Sequence, residues 1–253
     1  QLILEMEQSL EKYEVDRAVR PVGEFVDDFS AWYLRRSRDR FKGDDMVDRL
    51  NALGTTRYVL EEFSKALAPI APFIAEHLYQ HMSVGEGAWK GSVHLASWPT
   101  TGFIDEKLLG DMKIARGIVE AALAARQKAG IKVRQPLAAL TTSLTLPPEF
   151  RSLIMDEVNV KKFISASGLS DEVVLDTAIT DELQQEGDFR ELLRAIQDAR
   201  KTALLTRGQK IVLTLPEKYR GLATHFGEEL RRAVNASSVI FAQNEVIHVA
   251  SHL

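Results

Sequence analysis

The chain of 253 residues contains no cysteine, and this absence excludes several kinds of chemistry. Without thiols there is no disulfide, no thiolate nucleophile and no cysteine zinc site, so we expect a reducing, cytoplasmic setting. The chain also lacks an apolar run near the roughly 20 residues that span a bilayer, and its first residues lack the features of a secretory signal. It begins inside a helical pattern and without methionine, which indicates a piece of a longer protein.

Catalytic motifs are missing as well. His77 and His81 have the i, i+4 spacing of zinc ligands on a helix, but Glu76 precedes His77 and no third ligand is evident. Residues 85–91 come close to a dinucleotide-binding loop, yet they follow a predicted helix and the third glycine is one residue late, so we interpret them as linker. Neither a phosphate loop nor a nucleophile elbow occurs. We therefore predict no catalytic residue, no metal site and no cofactor, and a free-standing hydrolase is not favoured.

The charged side chains are unevenly distributed. The formal net charge of −4 does not favour a protein built as a whole to bind polyanions. Residues 1–34 carry eight acidic and three basic side chains, whereas residues 35–42 carry five basic side chains and one acidic one. Residues 113–134 carry six basic side chains and one acidic one. These two basic regions are the candidates for contact with an anionic partner.

The first third of the chain has helical periodicity. Apolar residues at three- and four-residue spacing predict helices over residues 2–13, 14–40, 45–67 and 73–82. Pro21 lies inside the second of these and predicts a kink there or a restart of the helix. The expected first domain is an all-α bundle of about four helices over residues 1–82.

The pattern changes after the bundle. Residues 83–106 are rich in glycine and proline and are predicted to form a linker. A predicted helix over residues 107–129 then leads into an alternating segment, residues 137–146, that is typical of a strand. The expected second domain, residues 107–253, is of the α+β class.

This second domain shows an apparent internal duplication. The segment Leu144–Arg151 resembles Leu213–Arg220, and each follows a helix that ends in an Ala-Arg-x-x-Ala segment. Each copy has the order helix, strand, Pro-Glu helix start and two short strands, over about residues 107–179 and 188–250. The pattern predicts two similar halves around a mostly antiparallel sheet. Chance similarity between two helix–strand units is the alternative.

An aromatic pair precedes a cluster of arginines. The residues are Trp32, Tyr33, Arg35, Arg36, Arg38 and Arg40. On a continuous helix Arg36 and Arg40 share one face and the other two arginines share the next, so two rows of guanidinium groups can follow a phosphate backbone. Solvated or salt-bridged arginines are the alternative. The two aromatic rings either stack on unpaired bases or continue the apolar stripe of the helix into the core.

The second basic region surrounds a predicted helix end. Gly130 is expected to end the helix, so Lys128, Lys132 and Arg134 would lie on an exposed turn that Pro136 stiffens. Such a turn suits contact with nucleic acid. Cations placed at a helix C-terminus because the helix dipole favours them are the alternative.

Several segments resemble those of isoleucyl-tRNA synthetases. Residues 32–41, Trp-Tyr-Leu-Arg-Arg-Ser-Arg-Asp-Arg-Phe, are similar to the signature of their helical anticodon-binding domain. Further similarity lies in residues 67–76, 92–99, 132–137 and 157–162. Residues 134–137, Arg-Gln-Pro-Leu, with residues 181–187 point to the isoleucyl member rather than its valyl and leucyl relatives. The resemblance covers about residues 13–215.

The resemblance implies that the bundle grips the anticodon stem-loop of isoleucine tRNA and that the second domain helps to read or brace it. Family members also carry a catalytic domain with His-Ile-Gly-His-like and Lys-Met-Ser-Lys-Ser-like motifs and an editing domain, and none of these motifs occurs here. We therefore expect the chain alone to be inactive, with ATP and magnesium bound only by the parent's catalytic domain. The lack of a cysteine zinc module indicates the eukaryote-like branch.

The expected partners are isoleucine tRNA and the parent's catalytic domain, with no membrane contact and a monomeric state. Because the chain is acidic overall, its affinity for tRNA should be modest and steeply dependent on salt. A protein-interaction module whose arginines pair with an acidic partner is the alternative from another class, and it predicts no preference among RNAs. The same piece of a valyl-type synthetase is the alternative within the family.

Overall fold

The computed structural model describes residues 1–82, 91–169, 172–206, 208–243 and 245–251. The chain divides into two compact units, residues 1–104 and 105–253. The first part of the predicted linker, residues 83–90, lies outside the described residues, and with it most of the glycine-rich segment 85–91.

The described part of the first unit contains four α-helices. They are α1 (Leu2–Glu11), α2 (Val15–Asp28), α3 (Met46–Leu67) and α4 (Pro72–Met82). α1 packs against α2 and α3, and α3 packs against α4, so the predicted helical bundle is confirmed. Its core contains Phe63, Leu67, Ala75 and Tyr79.

Local signals explain where these helices begin. Asp45 caps α3, because its carboxylate accepts hydrogen bonds from the backbone N–H groups of Val47 at 2.9 Å and Asp48 at 3.2 Å. Pro72 opens α4, where a missing N–H costs nothing. These two starts agree with the predicted helices.

α2 differs from the predicted seven-turn helix. It passes through Pro21 without a restart and continues as a π-helical segment, Phe29–Leu34. The helix ends at Arg36, and a 3₁₀ turn, Arg40–Lys42, precedes α3. The prediction of one helix to residue 40 is therefore wrong at its C-terminal end.

The second unit contains two similar sets of elements. The first set is α5 (Glu106–Lys128), β1 (Leu137–Thr142), α6 (Pro148–Val158), β2 (Val160–Ser165) and β3 (Val173–Leu175). The second set is α7 (Asp181–Thr202), β4 (Ile211–Pro216), α8 (Arg220–His225), α9 (Gly227–Val234), β5 (Ala236–Ala242) and β6 (His248–Ser251). A 3₁₀ turn, Glu217–Tyr219, precedes α8.

The strands form two separate three-stranded sheets in the described residues. Their orders are β2-β1-β3 and β5-β4-β6, and in each the central strand has one parallel and one antiparallel neighbour. The prediction of a mostly antiparallel sheet is therefore wrong. The helix that follows each central strand acts as a crossover, and a crossover returns the chain parallel to the strand before it.

Alternation along β4 shows how the second sheet is covered. Ile211, Leu213 and Leu215 are fully buried, whereas the residues between them are partly exposed. The buried row packs against the face of α7 that carries Phe189 and Ile196. One face of the sheet is thus the core of this half of the unit.

The first strand is shorter than predicted. β1 ends at Thr142, so Leu144 lies in the loop before α6, whereas the similar Leu213 lies within β4. The similar segments Leu144–Arg151 and Leu213–Arg220 therefore occupy equivalent positions at their Pro-Glu helix starts, but only the second begins within a strand.

Candidate nucleic-acid interface

The four predicted arginines lie around the end of the α2 helix, in the first unit. Arg35 and Arg38 are exposed, and Arg36 and Arg40 are half-buried. Because the helix ends at Arg36, the predicted pairing of Arg36 and Arg40 on one helical face is wrong. The cluster is a helix end followed by a turn rather than two parallel rows.

Arg40 is engaged with the start of α3. Its Nε and Nη2 atoms donate to the carboxylate of Asp48 at 2.7 to 3.0 Å. The hydrogen bond lowers the pKa of Asp48 and raises the pKa of Arg40. Both side chains remain about two-fifths exposed, so this ion pair can exchange with another anion.

The aromatic pair is half-buried. The Tyr33 ring stacks on Phe29 with centroids 5.4 Å apart, and Phe29 stacks on Phe25. The Tyr33 hydroxyl donates to the backbone oxygen of Ala52 at 3.1 Å. One face of the ring is thus covered, which fits the core alternative for Tyr33. Trp32 is also half-buried.

The second basic region lies in the other unit and forms a well-defined turn. We call residues 130–136 the basic turn. Gly130 ends the helix with a φ of +68°, as predicted, and the N–H groups of Gly130 and Ile131 bond to carbonyl oxygens of the last helical turn. Lys132 and Arg134 project with 76% and 44% of their side chains exposed. Lys128 is also exposed.

A buried arginine holds the basic turn from beneath. Arg126 is 1% exposed, and its guanidinium donates to the carbonyl oxygens of Lys132, Gln135 and Asn159 at 2.8 to 3.0 Å. Burial lowers its pKa to about 10, which still leaves it protonated at neutral pH. Since Arg126 binds carbonyl groups of the turn, we interpret it as a positioning residue.

Asn159 fixes the same turn from the other side. It has a φ of +57°, and its side-chain amide donates to the carbonyl oxygens of Val133 and Arg134 at 2.8 and 3.1 Å. Arg126 and Asn159 thus satisfy backbone acceptors on both sides of the exposed cations. Neither residue was predicted to position the turn.

Gln135 connects the basic turn to α7. Its amide nitrogen donates to the backbone oxygen of Leu183 at 2.7 Å. On the same helix, the carboxylate of Glu191 lies 3.9 Å from Nζ of Lys132 and 3.6 Å from Nη1 of Arg134. α7 therefore both anchors the turn and partly neutralises its charge.

Two further cations lie beside the turn. Lys161 on β2 and Arg190 on α7 share the carboxylate of Glu186, at 2.6 and 2.7 Å. Neither cation was predicted, because they are 29 residues apart in the sequence and no local spacing joins them.

No metal site is evident in the described residues. His77 and His81 lie with ring centroids 4.2 Å apart, and no group of three or more His, Asp or Glu side chains within the described ranges could hold a metal ion. In the same ranges, no helix is long and apolar enough to cross a membrane.

Comparison with known proteins gives one matching family and several relatives. The family described as "Anticodon-binding domain of tRNA ligase" matches residues 1–141. An isoleucine–tRNA ligase of Dehalococcoides mccartyi (strain CBDB1) is 34% identical over 228 residues, covering 80% of this chain and 22% of that protein. The isoleucine–tRNA ligase of Streptomyces coelicolor is 36% identical over 222 residues, covering 83% of this chain and 20% of that protein. The isoleucine–tRNA ligase of Clostridium acetobutylicum is 28% identical over 324 aligned positions, covering 93% of this chain and 31% of that protein. The chain thus spans about a fifth to a third of these relatives' length.

Proposed function

The chain belongs to the family of anticodon-binding domains of tRNA ligases, and we propose that it binds the anticodon stem-loop of isoleucine tRNA as part of an isoleucine–tRNA ligase. The observation that carries this proposal is the similarity to isoleucine–tRNA ligases over four-fifths or more of the chain. The valyl-type alternative has no such support among these relatives.

The proposed contacts with tRNA are the cations of both basic regions. They are Arg35, Arg36, Arg38, Arg40, Lys128, Lys132 and Arg134, with base stacking by Trp32 and Tyr33 as a further prediction. The basic turn supports the proposal most, because its backbone is fixed by Arg126 and Asn159 while Lys132 and Arg134 stay exposed. A fixed backbone lowers the entropy cost of holding flexible cations against phosphates.

We further propose that the catalytic step, with ATP and magnesium, takes place in a catalytic domain of the parent protein. These 253 residues carry neither of its motifs and supply tRNA binding only. A cytoplasmic location, a monomeric state and the eukaryote-like branch remain predictions of the sequence.

We also propose that the two halves of the second unit, about residues 107–179 and 188–250, are copies of one ancestral element. Three matched features support this beyond the strand order. Arg126 and Arg200 each donate to the carbonyl oxygens of the sixth and ninth following residues. Asn159 and Asn235 each have a positive φ and donate to the loop that follows the preceding long helix.

A third matched feature concerns the helix ends. Gly130 and Leu204 occupy the same left-handed position after α5 and α7. In this alignment the positions of Lys128 and Lys132 are taken by Thr202 and Thr206. The corresponding stretch of the second copy, residues 204–210, carries two basic residues at other positions, Arg207 and Lys210, so the placement of the cations differs between the copies.

The test is a binding titration of the 253-residue chain against an isoleucine tRNA transcript and a copy with a changed anticodon, at low and at physiological salt. The proposal predicts binding that weakens when the anticodon changes. Equal binding to both transcripts and to a valine tRNA would contradict it, and would favour a protein-interaction module with general phosphate attraction.

A further inference from the structure

Two carboxylates of α7 each hold two cations beside the basic turn. Glu186 accepts from Lys161 and Arg190 at 2.6 and 2.7 Å. Glu191, one and a half turns further along α7, faces Lys132 and Arg134 at the longer distances given above. Each carboxylate neutralises one of its two cations, so each group keeps one positive charge.

A cleft lies between these groups. Its volume is about 450 Å³, within the roughly 300–1,000 Å³ typical of small-ligand pockets. Arg134, Lys161 and Arg190 line it together with Asp156, while Met155 and Val160 supply an apolar wall. The cations can bind a phosphate, and the aliphatic wall can cover the apolar face of the attached base.

The guanidinium of Arg190 is already oriented at this cleft. Nη2 donates to Glu186, and Nη1 donates to the side-chain oxygen of Asn159. Asn159 is the residue that fixes the carbonyl groups of the basic turn, so Arg190 and the turn are connected through one side chain. Lys161 is held less closely, with 47% of its side chain exposed.

We propose that this cleft binds one unpaired nucleotide of the RNA, with its phosphate held by Lys161 and Arg190 and by Arg134 from the basic turn. Glu186 binds Lys161 and Arg190 when RNA is absent, and the two cations exchange the carboxylate for the phosphate on binding. The inference rests on the proposed function, because it extends the RNA contact of the basic turn across β2 and α7.

Four variants of the 253-residue chain test the cleft against the same tRNA transcript. Lys161→Gln removes a phosphate contact and should weaken binding roughly two- to fivefold, with a smaller salt dependence. Glu186→Gln removes the competing carboxylate and should strengthen binding by a similar factor. The matched controls are Lys201→Gln and Asp198→Asn, which change the same charges in an exposed pair at the far end of α7 and should have less effect.

The expected changes in tRNA affinity have opposite signs for Lys161→Gln and Glu186→Gln, and this difference separates a binding role from a structural one. If the Lys161–Glu186 pair only stabilised the fold, both variants would lower the unfolding midpoint and both would weaken binding. That result, or a Lys161→Gln effect no larger than that of Lys201→Gln, would overturn the inference. If substitution of Lys132 and Arg134 weakens binding while Lys161→Gln leaves it unchanged, the inference about the cleft fails and the proposed function stands. If no substitution of these basic residues changes tRNA binding, both the inference and the proposed function are contradicted.

Discussion

Gly187 has no Cβ, and the side chain of Gln135 occupies the space that a Cβ there would fill. A Cβ at position 187 would lie 2.2 Å from Oε1 of Gln135, closer than any tolerated contact. The same amide donates to Leu183 on α7. The basic turn is therefore seated on α7 through one glutamine, and a side chain at position 187 would force that glutamine to move.

Gly187→Ala should therefore destabilise the second unit. The methyl group displaces Gln135 and breaks its hydrogen bond, at a cost of about 1–3 kcal/mol that exceeds the gain of up to about 1 kcal/mol from alanine in a helix. Urea unfolding measures this change. Gly110→Ala is the matched control, because Gly110 lies in α5 with open space around it and alanine there should stabilise by up to about 1 kcal/mol. Equal effects at both positions would contradict the packing described.

The two left-handed helix ends should respond in opposite ways. Gly130 has a φ of +68°, so Gly130→Ala should cost about 1 kcal/mol. Leu204 has a φ of +55° and is 89% exposed, so Leu204→Gly should relieve strain and lose little packing, for a gain of up to about 1 kcal/mol. Thermal unfolding of both variants checks the signs, and a loss of stability in Leu204→Gly would argue against the assigned backbone conformation.

Substitution of either buried arginine should lower stability by a similar amount, but only one of the two substitutions should weaken tRNA binding. Arg126→Met and Arg200→Met each remove three hydrogen bonds to carbonyl oxygens, so each should destabilise its half of the unit by at least about 2 kcal/mol. Of these two arginines only Arg126 contacts the basic turn, so only Arg126→Met should weaken tRNA binding at a temperature where both variants are folded. Equal loss of binding in both variants would remove the positioning role of Arg126.

The hydrogen bond from Arg40 to Asp48 should be detectable in a pH titration of the Asp48 carboxyl group. The hydrogen bond from Arg40 holds the pKa of Asp48 below its ordinary value, so the pair stabilises the fold above the ordinary carboxyl range. That contribution is lost as the pH falls through the lowered pKa. NMR titration of the Asp48 carboxyl should show a low pKa that returns toward the ordinary value in Arg40→Gln. An unchanged pKa would mean that the pair does not persist in solution.

Most helices and strands could be predicted from the sequence, because apolar spacing and local caps determine them. Asp45 and Pro72 mark helix starts, and Gly130 marks a helix end. The parallel pairing of β1 with β2 was not predicted, although the strand–helix–strand order implies it, because the crossover through α6 returns the chain parallel to β1. The antiparallel pairing of β3 with the other edge of β1 follows from no such local rule.

The candidate site was predictable only where its residues are close in sequence. Lys128, Lys132 and Arg134 stand together and were found, whereas Lys161 and Arg190 are joined only through Glu186 in the folded chain. One signal for Arg126 was present. It continues the buried row of Ala115, Ile118 and Ala122 on α5, and an arginine in such a row must find acceptors inside the protein.

The most direct test of the central claim is the salt dependence of tRNA binding by the double variant Lys132→Gln, Arg134→Gln, measured between about 50 and 200 mM salt. The control is Arg194→Gln, Lys201→Gln, which removes the same charge from α7. We predict that the basic-turn variant binds more weakly and that its slope of log affinity against log salt is smaller by about one to two, with little change in the control. An unchanged slope in a variant that remains folded would contradict RNA binding by the basic turn.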